Sequence, residues 1–285
     1  MKIAFVVLHY LAEIDTIECI ESIKNNMVYD DIEIVVVDNA SSNNSFFNIK
    51  EKYQKEDKIH LIENSINLGY ARGNNVGFRF AKNELKADFI VIINNDTIIR
   101  QKNFADAILQ KYYELKFYVL GPDIVTKDGY HQNPLKHRDW TVNSLRLFKL
   151  KALLRLYDQK MLGISSLLVK QKQKKTALTS VVKDDLKGVR LHGACLIFSP
   201  DYVRRFDGLD EATFLYMEED LLQMEMDYFG CSMWYTGDLQ IFHKEDASTN
   251  MLGGSNKEKK IRFLNNLINS INACIERAKT LKGGR

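Results

Sequence analysis

Apolar runs alternate with segments of helical period along the first half of the chain. Residues 3–8, 32–37 and 88–93 are apolar almost throughout, which is typical of strands whose sheet is covered by helices on both faces. Between these runs, apolar side chains recur at helical spacing, as in residues 17–23. The alternation predicts an α/β fold in which a mostly parallel, doubly wound central sheet is flanked by helices.

Shorter patterns predict the remaining elements. Asp15 and Glu18 have the spacing of a capping box, so we expect the first helix to start at Asp15. Further strands are expected at 60–63, from 118, at 194–198, at 232–236 and at 239–242, and further helices up to about 85, at 103–115 and at 217–229 with Gly230 as C-cap. Residues 251–285 are predicted to form a helical tail after one domain over residues 1–250.

The composition is that of a globular protein with a sizeable core. Of the 285 residues, 45% are hydrophobic and 27% are charged, and no apolar run is long enough to span a bilayer. The four cysteines are scattered and form no CxxC pair, which argues against a disulfide framework or a structural zinc site. A reducing cytoplasmic location is therefore expected.

Charge is concentrated in an insert over residues 136–187. Between Lys136 and Lys183 the chain carries twelve basic and two acidic side chains, although its net charge is only +3. Aromatic residues are too sparse there for a nucleic-acid surface. Two interpretations stay open: a solvated helical face, or an amphipathic helix over 141–175 that makes a peripheral contact with the cytoplasmic face of a membrane or with an acceptor.

Acidic residues follow two of the apolar strands. Asp38 ends the run at 32–37, and Asp96 follows Asn94 and Asn95 after the run at 88–93. An aspartate after a strand often only caps a turn. Two of them at equivalent strand ends are better explained by a ligand, because open α/β sheets bind ligands at the carboxyl ends of their strands. Asp96, aided by Asn94 or Asn95, is suited to a hard divalent cation, and Asp38 to a nucleoside.

Two features near the C-terminus complete a candidate site. Glu219 and Asp220 open an acidic helix, where exposed backbone amides favour negative charge, and we expect Asp220 to serve as a general base. His243 ends the last predicted strand and could complete the metal shell or meet a diphosphate. Each feature also has a plain structural interpretation, as a favourable first turn and as a buried histidine.

The motifs around these residues resemble those of family 2 glycosyltransferases, in particular the rhamnosyltransferase-like bacterial members. The similarity covers residues 1–125 and 188–250. In chain order the motifs are Thr16–Ile23, Val35–Ser42, Asn67–Asn75, Asn94–Asp96, Gly208–Glu211 with Glu219-Asp220, and His243.

This resemblance implies a GT-A fold, an inverting single displacement and an Mg²⁺ or Mn²⁺ ion. It assigns Asp38 to the nucleoside, Asp96 and His243 to the metal, and Asp220, with Glu219 beside it, to catalysis. Around the donor it places Asn39, Arg72, Asn74, Asn95 and His9. The chain departs from the family pattern in two places: it has Asn-Asn-Asp in place of an Asp-x-Asp metal motif, and His9 where many relatives have asparagine.

The resemblance also suggests substrates. We expect transfer from dTDP-rhamnose to a cell-surface glycan or a lipid-linked saccharide, with UDP-galactose and UDP-N-acetylglucosamine as alternative donors and a homodimer left open. A non-catalytic subunit that binds a sugar nucleotide is the alternative of another class. A Rossmann dehydrogenase is disfavoured, because residues 9–16 contain no glycine for a dinucleotide-binding turn.

Overall fold

A computed structural model describes residues 1–162, 180–245 and 255–283. Within these ranges the strands are β1 (Ile3–His9), β2 (Ile32–Asp38), β3 (Ile59–Glu63), β4 (Phe89–Asn94), β5 (Thr97–Ile98), β6 (Val119–Thr126), β7 (Leu186–Lys187), β8 (Cys195–Phe198) and β9 (Met233–His243). The helices are α1 (Glu13–Asn26), α2 (Ser45–Tyr53), α3 (Gly69–Asn83), α4 (Phe104–Leu115), α5 (Val142–Tyr157), α6 (Pro200–Arg205), α7 (Glu218–Phe229) and α8 (Asn256–Gly283). A π-helical turn, Asp158–Leu162, continues α5.

The strands form one sheet in the order β3-β2-β1-β4-β8-β6-β9-β5, and β7 pairs with β9. Strands β3, β2, β1 and β4 are parallel to one another, and β6 is parallel to β9, whereas β8 runs antiparallel between β4 and β6. The predicted α/β architecture is confirmed. Its parallel strands end at one edge, which carries Asp38 and the turn after Asn94.

Alternate side chains of the strands enter two apolar cores on opposite faces of the sheet. Phe5 and Val7 of β1 pack with α1, α2 and α4, whereas Ala4 and Val6 pack with α3, α6 and α7. Helix α3 lies close to the sheet, because a Cβ at Gly77 would come within 2.5 Å of Val6. The helices therefore cover both faces of the sheet, as the nearly continuous apolar strands predict.

Strand β9 is a single strand where the sequence predicts two short ones. It runs without interruption along β6, with a shift of register in which Pro122 pairs with Thr236 and Asp123 with Gln240. The Gly237-Asp238 pair, which suggests a turn in the sequence, lies within this irregularity. A bulge keeps a strand continuous where its local sequence favours a break.

The start of α1 also corrects a prediction. The helix begins at Glu13, and its N-cap Ala12 makes no side-chain cap, so Asp15 does not open a capping box. Asp15 and Glu18 instead bind Lys244, directly after β9, with Asp15 Oδ1 at 2.8 Å from Lys244 Nζ. These acids therefore tie α1 to the end of β9.

The basic insert begins with α5 and packs on the tail helix. Thr141 caps α5 in a capping box with Ser144. Leu145 and Ala152 of α5 lie in a third apolar cluster with residues of α7 and α8. Residues 163–179 of the insert, and 251–254 and 284–285 of the predicted tail, lie outside the described residues. No helix in the described part of the chain is both long enough and apolar enough to span a membrane.

Candidate active site

Asp38 ends β2 and is held by the turn that follows it. Its carboxylate accepts hydrogen bonds from the backbone amide of Ser41 and, at 2.6 Å, from the Ser41 hydroxyl. Only 2% of the residue is exposed, and burial raises the pKa of the carboxyl group despite these hydrogen bonds. Asp38 thus caps a turn, as many aspartates after strands do, and the same contacts fix its orientation at the carboxyl edge of the sheet.

His9 lies in register with Asp38 at the end of β1 and is fully buried. Its Nδ1 lies 2.7 Å from Thr16 Oγ1 and its Nε2 lies 2.8 Å from Ser45 Oγ. Both ring nitrogens are therefore engaged with protein groups, and burial lowers the pKa of the imidazole to about 4. The donor contact expected of His9 stays a prediction. The residue joins α1 and α2 to the end of β1.

Asn39 also acts within the protein. Its side-chain amide donates to Asn67 Oδ1 and to the carbonyl of Gly69, and its own Oδ1 accepts the amide of Leu68. The residue is 3% exposed. It therefore ties the end of β2 to the loop that opens α3. The donor contact expected from the resemblance stays a prediction.

Arg72 and Asn74, on the first turns of α3, have different surroundings. Arg72 is exposed, and its Nε donates to the carbonyl of Glu211 at 3.1 Å. Asn74 is buried, and its Nδ2 donates to the carbonyl of Tyr70. Within the described residues its Oδ1 has no hydrogen-bond partner. Of the two residues, only Arg72 presents its side chain to solvent, and thus to a donor, in this structure.

Asp96 and His243 are brought together, as the sequence predicts for a shared metal site. Strand β5 pairs with the end of β9 so that Thr97 lies opposite His243. In consequence Asp96 Oδ1 lies 3.2 Å from His243 Nε2. Asn95, the preceding residue, is buried and donates from Nδ2 to Thr16 Oγ1, so its amide supports the turn from the inside.

The hydrogen bonds of His243 determine which nitrogen faces Asp96. Gln132 donates its side-chain amide to Glu245, which leaves the Gln132 carbonyl oxygen 2.7 Å from His243 Nδ1. A carbonyl can only accept, so this contact assigns the proton to Nδ1. The Nε2 lone pair of a neutral His243 then points at the Asp96 carboxylate. Two acceptors at 3.2 Å require a proton or a cation between them.

These residues fit an Mg²⁺ or Mn²⁺ ion as a partial ligand set. Ligands at right angles around a metal at about 2.1 Å lie about 3 Å apart, which matches the Asp96–His243 separation. In the described residues no group of three His, Cys, Asp or Glu side chains could hold a metal. Mg²⁺ is usually held by one or two carboxylates together with substrate phosphates and water, so a two-residue protein site is adequate for it.

Glu219 and Asp220 lie side by side at the start of α7, and their side chains have separate partners. Glu219 is partly exposed, and its Oε1 accepts the amide of Gly193 at 3.1 Å. Asp220 is buried, and both its oxygens lie 2.9 Å from Arg190 Nη1, while Trp140 Nε1 donates to it at 2.7 Å. Asp220 thus forms an ion pair with Arg190, whereas Glu219 contacts Gly193.

The tripeptide His192-Gly193-Ala194 connects the two halves of the site. The sequence motifs did not predict this segment. The His192 ring packs edge to face against His243 at 5.8 Å, and the carbonyl of Ala194 accepts the amide of Asn94. The carbonyl of Gly193 accepts the Tyr70 hydroxyl at 2.6 Å. Burial, followed by the nearby charge of Glu219, raises the pKa of this phenol, and Asp96 contributes in the same direction. Glu219 and the Asp96–His243 pair therefore flank one short segment.

His192 lies in surroundings that disfavour the protonated form of its ring. Burial, followed by the charge of His243, lowers the pKa of its imidazole to about 4. Its Nδ1 accepts the amide of Ala194 at 3.1 Å. The sequence offered one signal for this residue, a His-Gly pair directly before the apolar run at 194–198.

Comparison with known proteins identifies the family. The model of glycosyl transferase family 2 matches residues 5–168, which is more than half of the chain. The chain belongs to glycosyl transferase family 2. The matched region carries Asp38 and Asp96, whereas α7 and His243 lie beyond it.

Curated relatives of this family 2 chain include two named transferases. The low-salt glycan biosynthesis hexosyltransferase Agl10 of Haloferax volcanii is 26% identical over 188 residues, which cover 66% of the chain and 50% of Agl10. The glycosyltransferase GlyG of Streptococcus pneumoniae is 27% identical over 148 residues, which cover 45% of the chain and 48% of GlyG. The aligned regions thus span about half the length of each relative.

Solved structures show that the family 2 chain has the GT-A fold. The S. aureus protein TarS, residues 1–349 in complex with UDP-GlcNAc, matches with a TM-score of 0.55 and 15% identity, covering 94% of this chain and 65% of that one. GalNAc-T7, solved with UDP, GalNAc and Mn²⁺, matches with a TM-score of 0.58 and 12% identity, covering 93% and 47%. The fold expected from the sequence is confirmed.

Proposed function

We propose that this chain transfers a sugar from a nucleoside diphosphate sugar to an acceptor hydroxyl, with inversion at the anomeric carbon. The observation that supports this most directly is the Asp96–His243 pair, in which a carboxylate oxygen and an imidazole nitrogen face each other at 3.2 Å at the carboxyl edge of the sheet. Such a pair is suited to a divalent cation that a donor diphosphate also binds. A bound Mg²⁺ or Mn²⁺ would neutralise charge on the departing diphosphate.

The residues of the chain divide the reaction between them. Asp96 and His243 would hold a cation that neutralises the donor diphosphate, and Asp38 would orient the nucleoside from the end of β2. Exposed Arg72 lies on α3 and is available to contact the donor. Asn39, Asn95 and His9 support this edge from within through the contacts described above.

Glu219 is the better candidate for the general base. Asp220 is engaged by Arg190 through both oxygens, so protonation of Asp220 would leave a buried arginine without its counter-ion. Glu219 is partly exposed and is positioned by Gly193, beside the segment that contacts His243. In the proposed step Glu219 takes the acceptor proton, the acceptor oxygen bonds to the anomeric carbon, and the bond from that carbon to the diphosphate oxygen breaks.

The sugar and the acceptor are proposed from the sequence motifs. The rhamnosyltransferase-like pattern favours dTDP-rhamnose, with UDP-galactose and UDP-N-acetylglucosamine as alternatives. A glycan or a lipid-linked saccharide is the proposed acceptor class, which agrees with the glycan biosynthesis role in the name of Agl10.

The test is a donor panel with the purified chain and Mn²⁺. Binding is read by thermal shift, because a ligand that binds only the folded state raises its stability. Turnover is read by release of nucleoside diphosphate with an acceptor present, and Glu219→Gln serves as the matched inactive control. One donor should both bind and turn over. Binding of a donor without release of nucleoside diphosphate across the acceptors tested would instead support the non-catalytic subunit.

A further inference from the structure

Helix α5 has an apolar stripe that faces solvent. Its inward side, with Leu145 and Ala152, packs on α8. On the opposite side, large apolar residues recur at alternating spacings of three and four and continue into the π-helical turn, with exposed fractions between 52% and 70%. They are Leu147, Leu150, Leu154, Tyr157 and Met161. This spacing aligns them along one face of the helix, opposite the packed face.

Basic residues border the stripe on both sides. At about 100° per residue, Arg146 and Lys149 project on one flank of the stripe, and Lys151 and Arg155 on the other. Residues 142–157 contain no acidic side chain. Asp158, at the start of the π-helical turn, is the first acid after the helix, and Lys160 follows it.

We propose that this face of α5 docks the protein on an anionic lipid bilayer. Apolar side chains would enter the boundary between headgroups and acyl chains, while the long basic side chains on each flank would reach the anionic headgroups. A second copy of the chain fits this face less well than an anionic bilayer does. Two such faces in contact would bring basic flanks against basic flanks without an acid on either helix to offset them.

The docking face is rigidly connected to the proposed active site. Thr141 caps α5, and the preceding residue Trp140 donates to Asp220 of α7 at 2.7 Å. Asp220 is adjacent to Glu219 in α7. A protein resting on α5 would therefore hold α7, and the site beside it, in a set orientation to the bilayer. The proposal stands on the surface of α5 and does not depend on the transfer reaction.

Vesicle flotation with the full chain tests the proposal. Neutral phosphatidylcholine vesicles are compared with vesicles in which part of the lipid is phosphatidylglycerol, at low and high salt. The wild-type chain should float with the anionic vesicles, and added salt should weaken this binding. Replacing two basic residues, Lys151→Gln with Arg155→Gln, should lower the partition coefficient about 25-fold, or roughly fivefold per charge.

The apolar stripe is tested separately. Leu150→Ser with Leu154→Ser should lower partition by at least about tenfold. Matched controls change the same residue classes elsewhere: Val28→Ser removes an exposed apolar side chain, and Lys55→Gln with Lys86→Gln removes two exposed charges. Both controls should bind vesicles within about twofold of the wild type, apart from a small effect of net charge.

Three results would overturn the proposal. The first is equal flotation with neutral and anionic vesicles or with neither. The second is equal loss of binding in the α5 variants and in their controls. The third is a wild-type dimer that the leucine variants convert to monomer without any lipid binding, which would assign the stripe to self-association. Unchanged thermal unfolding of each variant confirms that a loss of binding is not a loss of fold.

Discussion

The Oε1 atom of Glu219 accepts a hydrogen bond from the backbone amide of Gly193 at 3.1 Å. This contact sets Glu219 apart from its neighbour Asp220, which pairs with Arg190. Two adjacent acids with such different partners should respond differently to substitution.

Glu219→Gln should abolish transfer and leave the fold intact. The amide keeps the shape of the side chain and removes its capacity to take a proton, which general base catalysis makes worth about 10²–10⁴ in rate. Turnover of donor with acceptor, together with thermal unfolding and donor binding, measures the effect. A variant that keeps more than about a tenth of wild-type turnover would exclude Glu219 as the base.

Asp220→Asn should mainly reduce stability. The Asp220 and Arg190 side chains are 4% and 11% exposed, so the substitution leaves a nearly buried guanidinium without its counter-ion, at a cost of about 3–5 kcal/mol. Asp207→Asn is the matched control. Its side chain is 75% exposed in the pair with Lys82, so the change should be about 0–1 kcal/mol. Denaturant unfolding measures both.

The same variant separates the two candidate bases. If Asp220→Asn is as stable as the wild type but inactive, the base is Asp220, and the proposed role of Glu219 is wrong. An unstable variant that retains activity at low temperature supports Glu219 as the base.

The dependence of activity on Mn²⁺ should change when the Asp96–His243 pair, or a residue that orients it, is substituted. Asp96→Asn should remove most activity at any Mn²⁺ concentration, since the carboxylate is the charged ligand of the pair. Gln132→Met should raise the Mn²⁺ concentration for half-maximal activity about 10–100-fold, because Gln132 orients the His243 ring. His60→Gln, a partly exposed histidine paired with Glu33, should have no effect on the Mn²⁺ titration. Unaltered Mn²⁺ curves for Asp96→Asn and Gln132→Met would contradict the site.

His9 should make the chain less stable in weak acid. Its pKa is lowered from 6.5 to about 4 in the folded protein, so between these values the unfolded chain binds the extra proton. Stability from this group is complete above pH 6.5 and is lost as pH falls towards 4, with a slope of up to about 1.4 kcal/mol per pH unit. The charge of nearby Glu13 raises the pKa but does not abolish the effect, since burial is the main cause.

The His9→Gln variant isolates this contribution. Unfolding free energies of the wild type and the variant are measured from pH 7.5 down to about 4. The raised pKa values of Asp38 and Glu218 act in the opposite direction, but both proteins carry these groups. The stability advantage of the wild type should therefore shrink as the pH falls. A constant difference would show that His9 is not held neutral.

The sequence predicted those parts of the fold that depend on local pattern. The apolar strands, the α7 helix with its Gly230 cap, and the meeting of Asp96 with His243 all follow from periodicity and from the rule for strand ends. The capping box failed because Asp15 has a tertiary partner, Lys244, distant in the sequence. Nothing in a local pattern could show that contact.

Like the fold, the candidate site was predictable from the sequence only in part. Asp96, Glu219 and Asp220 were identified as acids in suitable places, with Asp220 expected to be the base, but their partners were not predicted. The pairing of Asp220 with Arg190, the burial of His9 and the position of His192 depend on how distant segments meet. Residue type and spacing show which chemistry is available, whereas packing decides which of two adjacent acids faces the reaction.

The bulge in β9 determines on which face of the sheet each following side chain of the strand lies. Between the residues paired with Pro122 and Asp123, β9 contains three extra residues, 237–239, before Gln240 resumes the pairing. Side chains alternate across a sheet, and from the last residue of the bulge onward Leu239, Ile241 and His243 are buried. Loss or gain of one residue there would turn His243 to the opposite face and away from Asp96. In this chain the number of residues in a short irregularity is therefore as much a determinant of the proposed metal site as the identity of its residues. Natural variants of β9 should change its length by two residues or not at all.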